Sequence, residues 1–122
     1  MAKILIIDDS PTIIDLLKTV LSSNGHDVLT ANDGVSGVNL AKEEMPDLII
    51  LDIMLPKMNG YEVCNLIKLD EKYKDIKILM LTAKAGAESK NIGMETGADD
   101  YITKDLDPDN ILQTVKNLLQ DK

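Results

Sequence analysis

Asp8 and Asp9 follow directly on the apolar run ILII at 4–7, and Asp52 follows LIIL at 48–51. Thr82 ends KILMLT, and Lys104 ends DYITK. Short runs rich in β-branched residues read as buried strands, while carboxylates resist burial. Acids at the ends of such strands therefore ask for a purpose. If the five residues meet, three carboxylates and one ammonium leave a charge of about −2, and each carboxylate raises the pKa of the others. A divalent cation brings the sum to about zero. Mg²⁺ suits such a site, since it takes oxygen ligands, uses one or two carboxylates, and keeps water plus a phosphate oxygen. The remaining groups suggest phosphoryl chemistry. Asp52 can serve as a carboxylate nucleophile that becomes an aspartyl-phosphate. Thr82 and Lys104 can bind phosphoryl oxygens, and the small Ala83 leaves room beside them.

The elements that must position these groups alternate along the chain. Strand-like runs occur at 3–7, 47–51 and 76–81, with weaker ones at 27–31 and 99–102. Between them lie stretches with helical spacing. Ser10-Pro11 opens the first helix with an N-cap and a proline at the first helical position, and Gly25 closes it. A second helix is predicted over 34–45, ending before Pro46. Asn59 caps a third over about 60–71, and a fourth over about 85–96 is weakened by Gly86 and Gly93. A fifth starts at Asp107-Pro108 and repeats Ile111, Leu112, Val115, Leu118 and Leu119 at helical spacing. Five strands alternating with five helices imply an α/β fold, a parallel sheet covered on both faces. ILII and LIIL read as central strands and DVLTA as an edge strand. In the doubly wound order 2-1-3-4-5, strands one and three are neighbours at the switch point, where ligands bind outside the carboxyl ends. Asp8, Asp9 and Asp52 then converge, flanked by Thr82 and Lys104.

Composition narrows the function classes. A length of 122 residues implies a single domain over 1–122. The net charge is −8 and all 13 basic residues are lysines, which argues against a direct nucleic-acid surface. One cysteine allows no internal disulfide and fits a reducing compartment. The acidic pair interrupts the first apolar run too early for a signal peptide. No segment approaches the roughly 20 apolar residues of a membrane span. The expectation is a cytoplasmic protein.

The motifs DDS at 8–10, LDIMLPKMNG at 51–60, LTAK at 81–84 and YITK at 101–104 are weak singly and highly specific in this order and spacing. With them the chain, over about 3–120, resembles the receiver domain of two-component response regulators. The resemblance implies a flavodoxin-like (βα)5 fold and a phosphorylation-controlled signalling switch. It implies that Asp52 takes a phosphoryl group from a histidine kinase or a histidine phosphotransfer protein. It also implies that Asp9, Asp52 and the Met54 backbone carbonyl bind Mg²⁺, with Asp8 acting mainly through water. Thr82 and Tyr101 match the family's switch pair, Lys104 its phosphate-binding lysine, and Pro56 and Gly60 its loop after the phosphoacceptor. The expected protein is a monomer, or a dimer when phosphorylated. It catalyses its own phosphoryl transfer and slow dephosphorylation without being an enzyme in the ordinary sense. In one departure, Asp105 follows Lys104 where the family usually has proline.

Two other functions are weaker. A haloacid-dehalogenase-like phosphatase needs a second Asp two residues after the nucleophile, and Met54 stands there. A flavin-binding electron carrier needs a hydroxyl-rich phosphate loop, and DDSPT is acidic. Asp105, Asp107 and Asp109 alternate like a Ca²⁺ loop, but Asn110 and Lys116 replace its required Gly and Glu. His26 reads as a surface residue and Cys64 as packing. On the first helix, Ile14, Leu17 and Leu21 suffice for packing, whereas Ile13, Leu16 and Val20 widen the apolar arc. Ile13 and Leu16, near the acidic pair, are candidates for docking the phosphoryl donor. The output surface is expected on the fourth predicted helix, the fifth strand and the fifth helix.

Overall fold

The computed structural model describes residues 2–82, 97–104 and 106–120. The chain runs β1 (Lys3–Ile7), α1 (Pro11–Ser23), β2 (Asp27–Ala31), α2 (Gly34–Glu44), β3 (Leu48–Asp52), α3 (Gly60–Lys68), β4 (Lys77–Thr82), β5 (Asp100–Thr103) and α4 (Pro108–Gln120). The helix expected over 85–96 lies outside the described residues. The strands form one parallel sheet in the order β2-β1-β3-β4-β5.

Alternation along the strands splits the core between the two faces of the sheet. Leu5, Ile7, Ile49, Leu51, Ile78 and Met80 face α2 and α3, where Val38, Ala41, Val63, Cys64 and Ile67 cover them. Ile4, Ile6, Leu48, Ile50, Leu79 and Leu81 face α1 and α4, where Leu17, Leu21, Ile111, Val115 and Leu118 cover them. β1 and β3 are buried from both sides, whereas the edge strand β2 is half open, as its mixed sequence implies.

The helix starts follow their caps. Ser10 Oγ accepts from the Ile13 amide at 3.4 Å, and Asp33 Oδ1 from the Ser36 amide at 2.8 Å. Asn59 and Glu62 form a reciprocal capping box at the start of α3. Among the boundaries that differ from the sequence expectation, three lie where a side chain ties down backbone. β3 begins one residue late because Asp47 Oδ2 accepts from the Lys3 amide at 2.9 Å. β5 begins late because Asp99 Oδ2 accepts from the Ile78 amide at 2.8 Å and pairs with Lys68 Nζ at 2.7 Å. α3 ends at Lys68, not near 71, and the Lys68 ammonium donates to the carbonyls of Ile76 and Lys74 at 2.8 and 3.2 Å.

Candidate functional site

The carboxyl ends of β1, β3, β4 and the chain just past β5 supply the candidate residues. Asp52 is the last residue of β3, in register with Leu81 of β4. Asp8 extends β1, its amide donating to the Ala31 carbonyl at 3.1 Å. Carboxylate oxygens of Asp8, Asp9 and Asp52 all lie within 4.8 Å of one another. Asp8 and Asp52 are buried, while Asp9 is exposed. Lys104 Nζ lies 2.9 Å from Asp52 Oδ2 and 3.8 Å from Asp8 Oδ2. Thr82 is buried at the end of β4, and the Lys104 amide donates to its carbonyl at 2.9 Å.

Each buried carboxylate has one satisfied oxygen. Asp8 Oδ1 accepts from the Ser10 amide at 2.9 Å, and Asp52 Oδ1 from the Met54 amide at 3.2 Å. Asp8 Oδ2 and Asp52 Oδ2 are buried with no hydrogen-bond partner among the described residues. The short Lys104–Asp52 contact is thus a charge pair, not an aligned hydrogen bond. Burial pushes the Asp8 carboxyl above its ordinary range. The Asp52 charge adds to that push, and the Ser10 amide and Lys104 oppose it. Two orphaned oxygens beside an exposed third carboxylate fit a hard divalent cation, which takes oxygen ligands and keeps water on its open side.

The loop after Asp52 is held shut by the Gly60 amide donating to the Ile53 carbonyl at 2.8 Å. A Cβ on Gly60 would overlap the Asp52 carbonyl oxygen and lie 2.7 Å from Ile53 Cα, so only glycine fits. Met54 is 75% exposed. Tyr101 is half-buried against the α2/α3 side of the core. The register Met80↔Tyr101 and Thr82↔Thr103 places Thr82 and Tyr101 on one face of the sheet, one pleat apart. Lys104 reaches the acids although proline does not follow it; Asp105 itself lies outside the described residues.

The chain matches the family model of the response regulator receiver domain over residues 4–116. The chain belongs to the response regulator receiver family. This receiver is 48% identical to the DNA-binding dual master transcriptional regulator RpaA of Synechocystis, covering 98% of this chain and 50% of that protein. It is 46% identical to the transcriptional regulatory protein PhoP of Bacillus subtilis, covering 97% and 48%. It thus spans about half the length of these relatives. Protein PilH of Pseudomonas aeruginosa is 39% identical, with 98% of both chains covered. A response regulator from Chloroflexus aurantiacus superposes with a TM-score of 0.94 at 34% identity over 98% of both chains. The chemotaxis response regulator CheY4 of Vibrio cholerae gives 0.92 at 34%, over 97% of this chain and 98% of that one. The receiver therefore has the flavodoxin-like fold and works in two-component signalling.

The docking candidates separate in the structure. Ile13 is half-buried against the α1/α4 side of the core, whereas Leu16 is 37% exposed. His26 is half-buried, its Nδ1 accepting from the Ala2 amide at 3.2 Å. Cys64 is buried packing. The sequence reading passed over Asp33-Gly34 at the start of α2, where the loop after Asp52 comes to rest. The available signal was a glycine placed directly after an N-cap, where a better helix former would ordinarily stand.

Proposed function

We propose that residues 1–122 form one receiver unit in which Asp52 accepts a phosphoryl group from a phosphohistidine on a histidine kinase or phosphotransfer protein. An Asp52 carboxylate oxygen attacks phosphorus, the P–N bond breaks, and the imidazole leaves with the bonding electron pair. The product is a mixed anhydride on Asp52. The observation that carries this reading is the orphaned, buried Asp52 Oδ2 beside Lys104 Nζ at 2.9 Å.

Mg²⁺, held by Asp9, Asp52 and the Met54 carbonyl with Asp8 through water, would neutralise charge on the phosphoryl oxygens. Lys104 balances the charge of Asp52 before transfer and of the phosphoryl group after it. The Thr82 hydroxyl turns toward the phosphoryl group, and the Tyr101 ring takes the space this frees. Their shared face of the sheet supports that coupling. The change then reaches the surface made by 85–96, β5 and α4. The receiver turns over no substrate but its own phosphoryl group, and it works in the cytoplasm through protein partners. Ile13 and Leu16 meet the donor.

Incubation with acetyl phosphate and Mg²⁺ tests this. One phosphate should be added to the native receiver and none to Asp52→Asn. Undiminished labelling of the variant overturns the assignment.

A further inference from the structure

Gly34 opens α2 directly after the N-cap Asp33. Its backbone does not require glycine, since φ is not positive there. Glycine is also a poor helix former. Space explains it. A Cβ on Gly34 would overlap the Met58 carbonyl oxygen and lie 2.7 Å from Met58 Cβ. The two neighbouring loop residues meet the same turn of α2. The Gly34 amide donates to the Pro56 carbonyl at 3.5 Å, and Lys57 Nζ lies 3.8 Å from Asp33 Oδ2. Lys57 itself is held in the left-handed region, at φ 68°, where a non-glycine residue persists only when its surroundings impose it. Three consecutive residues of the loop after Asp52 thus rest on Asp33-Gly34. The same loop carries the Met54 amide that donates to Asp52 Oδ1.

We propose that Asp33-Gly34 is a positioning seat for the loop 53–59, which through Met54 aligns the Asp52 carboxylate for metal binding and phosphoryl acceptance. The inference rests on Asp52 being the acceptor. α2 supplies none of the proposed metal or phosphoryl ligands, so Gly34 acts only through the loop. Any side chain at 34 lifts residues 56–58 and loosens the hold on Asp52.

The test compares Gly34→Ala with Gly37→Ala in the complete chain. Gly37 lies on the same helix but faces the sheet, where a Cβ would sit 2.5 Å from Ile7 Cδ1. Its substitution strains packing without touching the loop. Gly34→Ala should speed hydrogen exchange at the Met54, Met58 and Gly60 amides and weaken Mg²⁺ binding in a titration of the unphosphorylated protein. It should slow acetyl phosphate labelling by about tenfold, within the range produced by a misplacement of ~1 Å. Gly37→Ala should lower the urea midpoint while leaving those amides, the Mg²⁺ affinity and the labelling rate near native. Equal loop exchange and equal Mg²⁺ affinity in the two variants overturn the seat. Should Gly34→Ala fail to fold, Met58→Gly removes the Cβ from the other side of the contact and must shift the same readouts in the same direction, or the inference fails. Labelling that persists in Asp52→Asn overturns the acceptor assignment alone, and exchange and Mg²⁺ affinity still decide the seat.

Discussion

Replacing Lys104 with Met keeps most of the apolar stem and removes the charge nearest the acids. At an effective dielectric of about 20, a unit charge 2.9 Å from Asp52 and 3.8 Å from Asp8 interacts with them by about 6 and 4 kcal/mol. The Lys104 side chain is 26% exposed, so water reduces both figures. Removing one partner of a buried pair ordinarily costs about 3–5 kcal/mol, because the other charge is left uncompensated. We therefore expect Lys104→Met to lower unfolding stability in EDTA by about 3 kcal/mol, a large share of the ~5–15 kcal/mol typical of a domain. Asp52→Asn removes the charge that Lys104 compensates, so the double variant should regain most of the loss. Urea unfolding of the native protein, both single variants and the double variant gives the coupling energy, expected at about 2 kcal/mol or more. Additive losses, within ~0.5 kcal/mol, would mean that the lysine does not balance Asp52 in solution.

Three further expectations concern the acids and α1. The folded state holds the Asp8 proton more tightly than the unfolded chain does. Its contribution to metal-free stability is therefore fully present below the ordinary Asp pKa of about 3.9 and lost as pH rises through the higher folded value. Asp8→Asn should accordingly gain on the native protein in EDTA as pH rises from about 4 to 7, and a pH-independent difference refutes this. Asp9→Ala should weaken Mg²⁺ binding more than Asp8→Ala in a titration; equal losses contradict the division of roles between direct and water-mediated ligand. Leu16→Ser should slow transfer from a cognate kinase and leave acetyl phosphate labelling intact. Ile13→Ser should also cost about 1 kcal/mol of stability, since Ile13 is half-buried against the core.

Much of this site was legible because strands are short and their carboxyl ends are marked by a change from apolar to polar residues. ILII and LIIL could be read as central strands, and the acids at their ends then had to be neighbours across the switch point. Lys104 was harder. Its stem reaches the acids from beyond β5, and no periodicity fixes the aim of a long side chain. The boundary of α3 was missed because Lys68 ends the helix through carbonyls six and eight residues away. Asp33-Gly34 was missed because close approach of two backbones leaves no hydrophobic pattern. The different fates of Ile13 and Leu16 depend on where α4 packs, which a helical wheel of α1 does not contain.

The acyl phosphate itself gives the most direct test of the central claim. Borohydride reduces a phosphorylated aspartate side chain to a primary alcohol and leaves free carboxylates unchanged. The receiver, phosphorylated by acetyl phosphate with Mg²⁺ and then reduced, should yield one altered residue on peptide sequencing by mass spectrometry, at position 52. Reduction at Asp8 or Asp9, or at no aspartate while phosphate is retained, would contradict the account.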